Sequence, residues 1–215
     1  MKRILTLGCV LMLGWGFAGA AVAEDLKEIK LPKPRMEGGK PLMQALKARA
    51  SSREFGEQGL TDQVLSDLLW AACGVNRPDG KRTAPTAMDR REIEVYVALT
   101  NGLFFYDAAG NTLKPILAED IRTATGQQPF VKSVPVNLVF VADYAKMTGM
   151  GDTDKMTYAA ADTGYVSQNV YLFCASEGLA TVVRGWVDRK ALEEKMKLRP
   201  DQHVILTQSI GYPKK

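Results

Sequence analysis

Apolar positions along the chain recur at two different periods, and the periods divide it into helices and strands. Leu42, Met43, Ala45 and Leu46 fall at helical spacing behind Pro41, a residue suited to a first turn, and predict a short helix over 41–49. Thr61 is placed to cap a second helix through Val64, Leu65, Leu68, Leu69 and Ala72, ending near Gly74. The period then changes. Residues 93–100 and 103–106 are rich in β-branched and aromatic side chains, and Asn101-Gly102 between them reads as a two-residue hairpin turn. A third strand over 112–116 follows the turn at Ala108-Ala109-Gly110-Asn111, which completes an antiparallel meander.

The mostly apolar run 134–142 reads as a strand buried on both faces. Residues 157–178 predict a long helix, apolar on more than one face and therefore central. A short amphipathic helix over 188–196 and a last strand over 204–210 close the pattern. Residues 24–40 carry Pro32, Pro34, Gly38 and Gly39 with alternating charge, and read as an extended arm. The order helix, helix, meander, strand, long helix, helix, strand predicts an α+β domain with an antiparallel or mixed sheet. No Gly-x-Gly-x-x-Gly follows a strand, which argues against a Rossmann dinucleotide site.

The first 23 residues stand apart from this pattern. Lys2 and Arg3 form a basic start, residues 4–20 are apolar, and Ala21-Val22-Ala23 gives a small-x-small cleavage site. The competing reading is a membrane anchor, for which the run is short and glycine-rich. The division is therefore a signal peptide over 1–23, an arm over 24–40 and one domain over 41–215. A mature protein beginning at Glu24 would be exported to the periplasm or its equivalent, without stable membrane insertion after cleavage.

Charge and cysteine content narrow the functional classes. Lys and Arg number 28 against 24 Asp and Glu; removing Lys2 and Arg3 leaves 26 against 24, interspersed along the chain. That balance offers no footprint for nucleic acid. Cys73 and Cys174 remain after cleavage, and either a disulfide or two buried thiols fits their apolar, helical contexts. No Cys-x-x-Cys occurs and the one histidine is His203, so a metal centre is not indicated. No Gly-x-Ser-x-Gly occurs to suggest a serine hydrolase.

Three segments could hold a ligand. Arg49-Ala50-Ser51-Ser52-Arg53 gathers two guanidiniums and two hydroxyls within five residues, a donor set suited to phosphate. The run 82–88, with Pro85, Thr86 and Ala87, would let backbone lie close to a flat ligand. Residues 178–185, ending in Arg184-Gly185, could turn N–H groups towards a ring system.

In this order the segments resemble the nitroreductase family, in particular its branch related to the dehydrogenases of thiazole and oxazole peptide biosynthesis. Arg49, Ser51 and Arg53 match an opening Arg-x-Ser-x-Arg; Pro85-Thr86-Ala87 matches a Pro-Ser-small loop feeding the strand Glu94-Val95-Tyr96-Val97. Gln168-Asn169 matches a Gln-Asn in the long helix, Gly178-Leu179 and Gly185-Trp186-Val187-Asp188 match Gly-Leu and Gly-x-x-Asp, and Gly211-Tyr212-Pro213 matches the closing motif. The resemblance covers residues 41 to 213. Asp89 and Arg91 depart from it, standing where nitro-reducing members usually have Asn and Gln, and the chain ends soon after its last strand.

The resemblance implies a nitroreductase-like α+β fold, an intertwined homodimer with two interface sites, and non-covalent FMN as cofactor. It implies that Arg49, Ser51 and Arg53 hold the FMN phosphate and ribityl chain. Pro85, Thr86, Ala87 and Asp89 would line the flavin, and Arg184 and Gly185 would present backbone N–H groups to it. The flavin would carry the chemistry, in ping-pong hydride transfer between an unidentified electron donor and a small-molecule substrate. The alternative is a non-catalytic flavin-fold binding or assembly protein.

Overall fold

The computed structural model describes residues 26–214; the proposed signal peptide lies outside them. Seven strands form one antiparallel sheet in the order β1-β4-β3-β2-β5-β7-β6. In chain order these are β1 (Ile29–Lys30), β2 (Ile93–Leu99), β3 (Gly102–Asp107), β4 (Thr112–Leu117), β5 (Val136–Asp143), β6 (Ala180–Arg184) and β7 (Gln202–Gly211). Four helices cover the sheet: α1 (Leu42–Ala48), α2 (Asp62–Cys73), α3 (Asp152–Glu177) and α4 (Arg189–Met196).

The two faces of the sheet bury different sets of side chains. Val95, Val97, Phe104, Leu138 and Phe140 pack with Leu68 and Leu69 of α2 and Val166 and Val170 of α3. On the other face Tyr96, Ala98, Leu103, Val139 and Val141 pack against Leu192 and Met196 of α4. With a layer on each side, all eight residues of β5 are buried, which is why its sequence runs apolar without alternation.

The local signals explain the helix ends. Thr61 Oγ1 accepts the Val64 N–H, and the helix it caps ends at Gly74. Asp188 caps α4 through the Ala191 N–H. The left-handed Gly178, at φ 72°, ends α3. That helix begins five residues before the expected start, with Asp152 and Asp154 in its first turn where the helix dipole favours them.

Two expectations are corrected. Leu99 pairs with Gly102, so the hairpin turn is Thr100-Asn101 rather than Asn101-Gly102. Gly102 has φ 155°, and a Cβ there would stand 2.6 Å from the Leu117 carbonyl oxygen, so it is glycine because β4 passes close by. The segment 178–185, expected to carry no strand, contains the edge strand β6, antiparallel to β7. The arm contributes the two-residue β1, which pairs with β4.

Candidate functional site

The edge of β6 organises the site. Residues 181, 183 and 185 turn their backbone groups away from β7, because N–H and C=O directions alternate along a strand. Two of these outward groups are closed by protein: the Thr181 carbonyl accepts the Ser52 N–H at 2.9 Å, and the Val183 N–H donates to Tyr171 Oη at 2.9 Å. Next in the series is the Gly185 N–H, which has no backbone acceptor among the described residues. Gly185 is exposed.

The Arg49–Arg53 segment lies against this edge. Arg49 caps the C-terminus of α1, and its guanidinium carbon stands 5.3 Å from the centre of the Tyr171 ring. Ser51 Oγ lies 2.8 Å from Tyr171 Oη. Arg53 is exposed. The C-terminal segment joins the cluster: Tyr212 O accepts the Gly56 N–H at 2.8 Å, and Phe55 forms a bridge with Pro213. Residues 212–214 therefore lie beside the basic segment. A hollow of about 140 Å³ lined by Ala48, Ala50, Ser52, Thr181 and Pro213 adjoins it.

Across α3 lies the second segment. Pro85 is exposed and Thr86 and Ala87 are half-buried. The Ala87 N–H donates to Asp162 Oδ2 at 2.8 Å, and the Arg91 N–H donates to Thr86 Oγ1 at 3.0 Å. Met88, Asp89 and Arg91 have φ of 50°, 53° and 52°, the left-handed region that residues with a Cβ enter at a cost. Asp89 and Arg91 form a two-pronged ion pair at 2.8 and 2.7 Å. That bond holds the Asp89 carboxyl below its usual range. Asp162 and Tyr171 are nine positions apart on α3, roughly 13 Å along its axis. The two loop segments therefore meet this helix at separate points.

Arg184 is placed differently from the sequence expectation. Its backbone faces β7, opposite Thr207, and its side chain is 4% exposed. The guanidinium donates to Thr125 O at 2.7 Å and Asn137 Oδ1 at 3.0 Å. Among the described residues no carboxylate joins it, and burial pulls it down to about 10. Gly126 lies so close that an added Cβ would strike this guanidinium. Arg184 thus ties β6 to the interior, and Gly185 is left to face outward. Trp186, next along the chain, is 67% exposed.

Sequence reasoning missed Tyr171 and Asp162. Each acts over a long separation, and neither stands in a local motif. A concavity of about 480 Å³ near Ile29, Leu60, Asn101 and Arg122 includes none of the candidate residues. Size alone is therefore a poor guide; the donors converge on an open face. Cys73 and Cys174 are free, buried thiols, and burial pushes Cys73 up to about 11.

Known proteins share the sequence pattern and the fold. The model of the nitroreductase family matches residues 46–212. A provisionally named nitroreductase of Methanocaldococcus jannaschii is 30% identical over 197 residues, 87% of this chain and 97% of its own length. A crystal structure of a provisionally named nitroreductase from Ralstonia eutropha JMP134 is 45% identical, with a TM-score of 0.85 over 91% of this chain and 93% of that one. The fold extends to the NADPH:FMN oxidoreductase of Vibrio harveyi complexed with NAD+, at 19% identity and TM-score 0.61, covering 81% of this chain and 69% of that one. With its motifs in order, its sheet matched and its length spanned, this chain belongs to the nitroreductase family.

Proposed function

We propose that this chain is an exported, FMN-dependent oxidoreductase that works as a homodimer and transfers electrons in two half-reactions. The observation that carries the reading is the outward edge of β6. Protein groups close Thr181 and Val183, and the Gly185 N–H remains available with the Arg49, Ser51 and Arg53 donors on the same edge. That donor set fits FMN: guanidiniums and a hydroxyl for a phosphate, and a fixed N–H for a ring. When bound, FMN supplies the redox chemistry by accepting and releasing a hydride. Arg49, Ser51 and Arg53 hold the phosphate end, Gly185 orients the ring, and Pro85, Thr86, Ala87 and Asp89 form a wall that excludes water. The substrate is a small molecule, and the electron donor is one available outside the cytoplasm.

Two surfaces support the dimer. Leu42 (64% exposed), Met43 (74%) and Leu46 (43%) on α1 and Met156 (64%), Tyr158 (42%) and Tyr165 (49%) on α3 leave large apolar side chains in water. Soluble monomers rarely do this on adjoining helices. A partner covering them would bring its own loop to the open β6 edge.

A second reading is a non-catalytic flavin-fold protein. The Asp89–Arg91 pair favours it, because the two side chains satisfy each other at positions where the sequence departs from the family pattern. Protein isolated from its native compartment separates the two. A bound flavin that is reduced by a nicotinamide or quinol donor and reoxidised by an electron-poor acceptor supports the enzyme. A flavin that no donor reduces, or a protein that binds no flavin, supports the second reading and removes the first.

A further inference from the structure

The N-terminal arm does not end at β1. It runs on across α2 to the end of α3, and polar groups of the domain hold it at each stage. The Pro32 carbonyl accepts the Ser66 hydroxyl at 2.5 Å and Asn111 Nδ2 at 2.8 Å. The Lys33 carbonyl accepts Gln63 Nε2 at 3.1 Å. Arg35 then closes on Asp67: its N–H donates to Oδ1 and its Nε to Oδ2, each at 2.8 Å, and Nη2 lies 2.7 Å from Oδ2. Further on, Lys40 is tied to the last turn of α3, its N–H to Ser176 Oγ at 2.7 Å and its Nζ to the Ala175 carbonyl at 2.9 Å.

Asp67 is an unusual residue to find in this place. It is 5% exposed on the same helix as the buried Leu65, Leu68 and Leu69, where an unpaired carboxylate is costly. Its donors among the described residues are Arg35 and Gln63, the latter at 2.9 Å. Ser66, its fully buried neighbour, also gives its proton to the arm. Two consecutive buried polar side chains of α2 thus serve the arm. The arm in turn leads without slack into α1: Pro41 follows Lys40, and its carbonyl accepts the Ala45 N–H of the first turn. Of the seven residues of α1 only Ala45 is buried, too little packing to fix so short a helix. Arg49, the first of the basic segment, caps its far end.

We propose that the Arg35–Asp67 latch and the Lys40 tether make the arm a strap that sets α1, and that Asp67 is thereby a positioning residue for the Arg49–Arg53 segment. The chain from Arg35 to Lys40 reaches at most about 18 Å when extended, so release of either anchor is felt at the other. Gly38 and Gly39, at φ of 118° and 73°, make the bend between them, and a Cβ on Gly39 would strike Ser176 Oγ. A dimer partner covering Leu42 and Met43 closes on a helix whose start the strap has already set. The consequence for the cofactor rests on the reading that Arg49 and Arg53 hold a phosphate; the strap itself does not.

Three variants of the mature chain test it. Asp67→Asn and Arg35→Ala open the latch, the second from its exposed side should the first fail to fold, and Gly39→Ala pries the tether from α3. Amide hydrogen exchange reads the strap at Lys40 and the helix at Ala45 and Arg49, whose N–H groups are bonded to Ser176, Pro41 and Ala45. Parallel titrations read FMN and riboflavin. Each variant is expected to speed exchange at the three amides roughly tenfold, while β5 amides and the oligomeric state keep their wild-type values. FMN affinity is expected to fall about tenfold and riboflavin affinity about twofold or less, whereas a general loss of stability would move both flavins and β5 together. Arg35→Lys, which keeps a charge on Asp67, is expected to restore most of the protection. Unchanged exchange at Ala45 and Arg49 in the variants would overturn the strap, and so would exchange that rises only as the oligomer dissociates. Faster exchange with an unchanged FMN-to-riboflavin ratio would overturn Asp67 as a positioning residue. A wild type that does not distinguish the two flavins, with α1 still loosened in the variants, supports the strap and removes the phosphate reading, so the two fail separately.

Discussion

Ser51 and Tyr171, 120 positions apart in sequence, meet through their hydroxyls at 2.8 Å. Tyr171 Oη also accepts the Val183 N–H, and in its pair with Ser51 either hydroxyl can donate. One phenol therefore closes the edge strand and holds the Ser51 hydroxyl beside it. Tyr171→Phe strands the Val183 N–H and should destabilise the fold by about 1–3 kcal/mol, while weakening FMN binding. Ser51→Ala should leave stability within about 0.5 kcal/mol and still weaken FMN. Denaturant midpoints with parallel FMN titrations check both; a Tyr171→Phe variant unchanged in both would remove the link.

Assembly is tested through the exposed face of α1. Introducing Met43→Asp with Leu46→Asp places charge where an apolar interface is proposed. Wild type should sediment at low micromolar concentration as one species of twice the mature mass. The double variant should dissociate and lose FMN affinity together with it. A variant that becomes monomeric and keeps full affinity would show that one subunit is sufficient for the site.

Arg184 should behave as an interior residue. Its guanidinium is buried without a carboxylate, and its acceptors keep other donors: Thr207 for Thr125 O and Ser209 for Asn137 Oδ1. Arg184→Met, similar in length and uncharged, should change stability by no more than about 1 kcal/mol, since removing a buried charge offsets the lost bonds. Its FMN affinity should stay within about twofold, a small effect on the free-energy scale. A large and selective loss of FMN would return Arg184 to the ligand site.

What was legible in the sequence was local. Thr61 and Gly74 bounded α2 because capping and termination are properties of single residues and their neighbours. The meander followed from alternating β-branched and aromatic residues. The turn was misplaced by one residue because Gly102 was taken as a turn glycine, whereas the close passage of the Leu117 carbonyl dictates it. The edge strand β6 was hidden because five residues after a helix carry too little pattern. The Arg-x-Ser-x-Arg motif located the basic segment, but nothing local announces that Tyr171 receives it or that Asp162 grips the next loop. Arg184 was expected to turn its backbone N–H to a ring together with Gly185; its pairing opposite Thr207 turns that backbone to β7, and Thr125 and Asn137, distant in sequence, draw the side chain inward.

Export makes a prediction independent of the fold. Intact-mass measurement of native protein should give a chain beginning at Glu24, and Ala23→Trp should leave an uncleaved, membrane-held precursor, because the processing site accepts small residues. A soluble native species still carrying Met1 would contradict export.

The central claim is that Arg49 and Arg53 grip the phosphate of FMN, and the most direct test compares FMN with riboflavin, which lacks it. Both flavins are titrated into wild type and into the Arg49→Ala, Arg53→Ala double variant. Each charge-assisted bond removed should cost about 1.5–3 kcal/mol of FMN affinity while riboflavin affinity changes little. Equal losses for the two flavins, or a wild type that binds neither, would contradict the account.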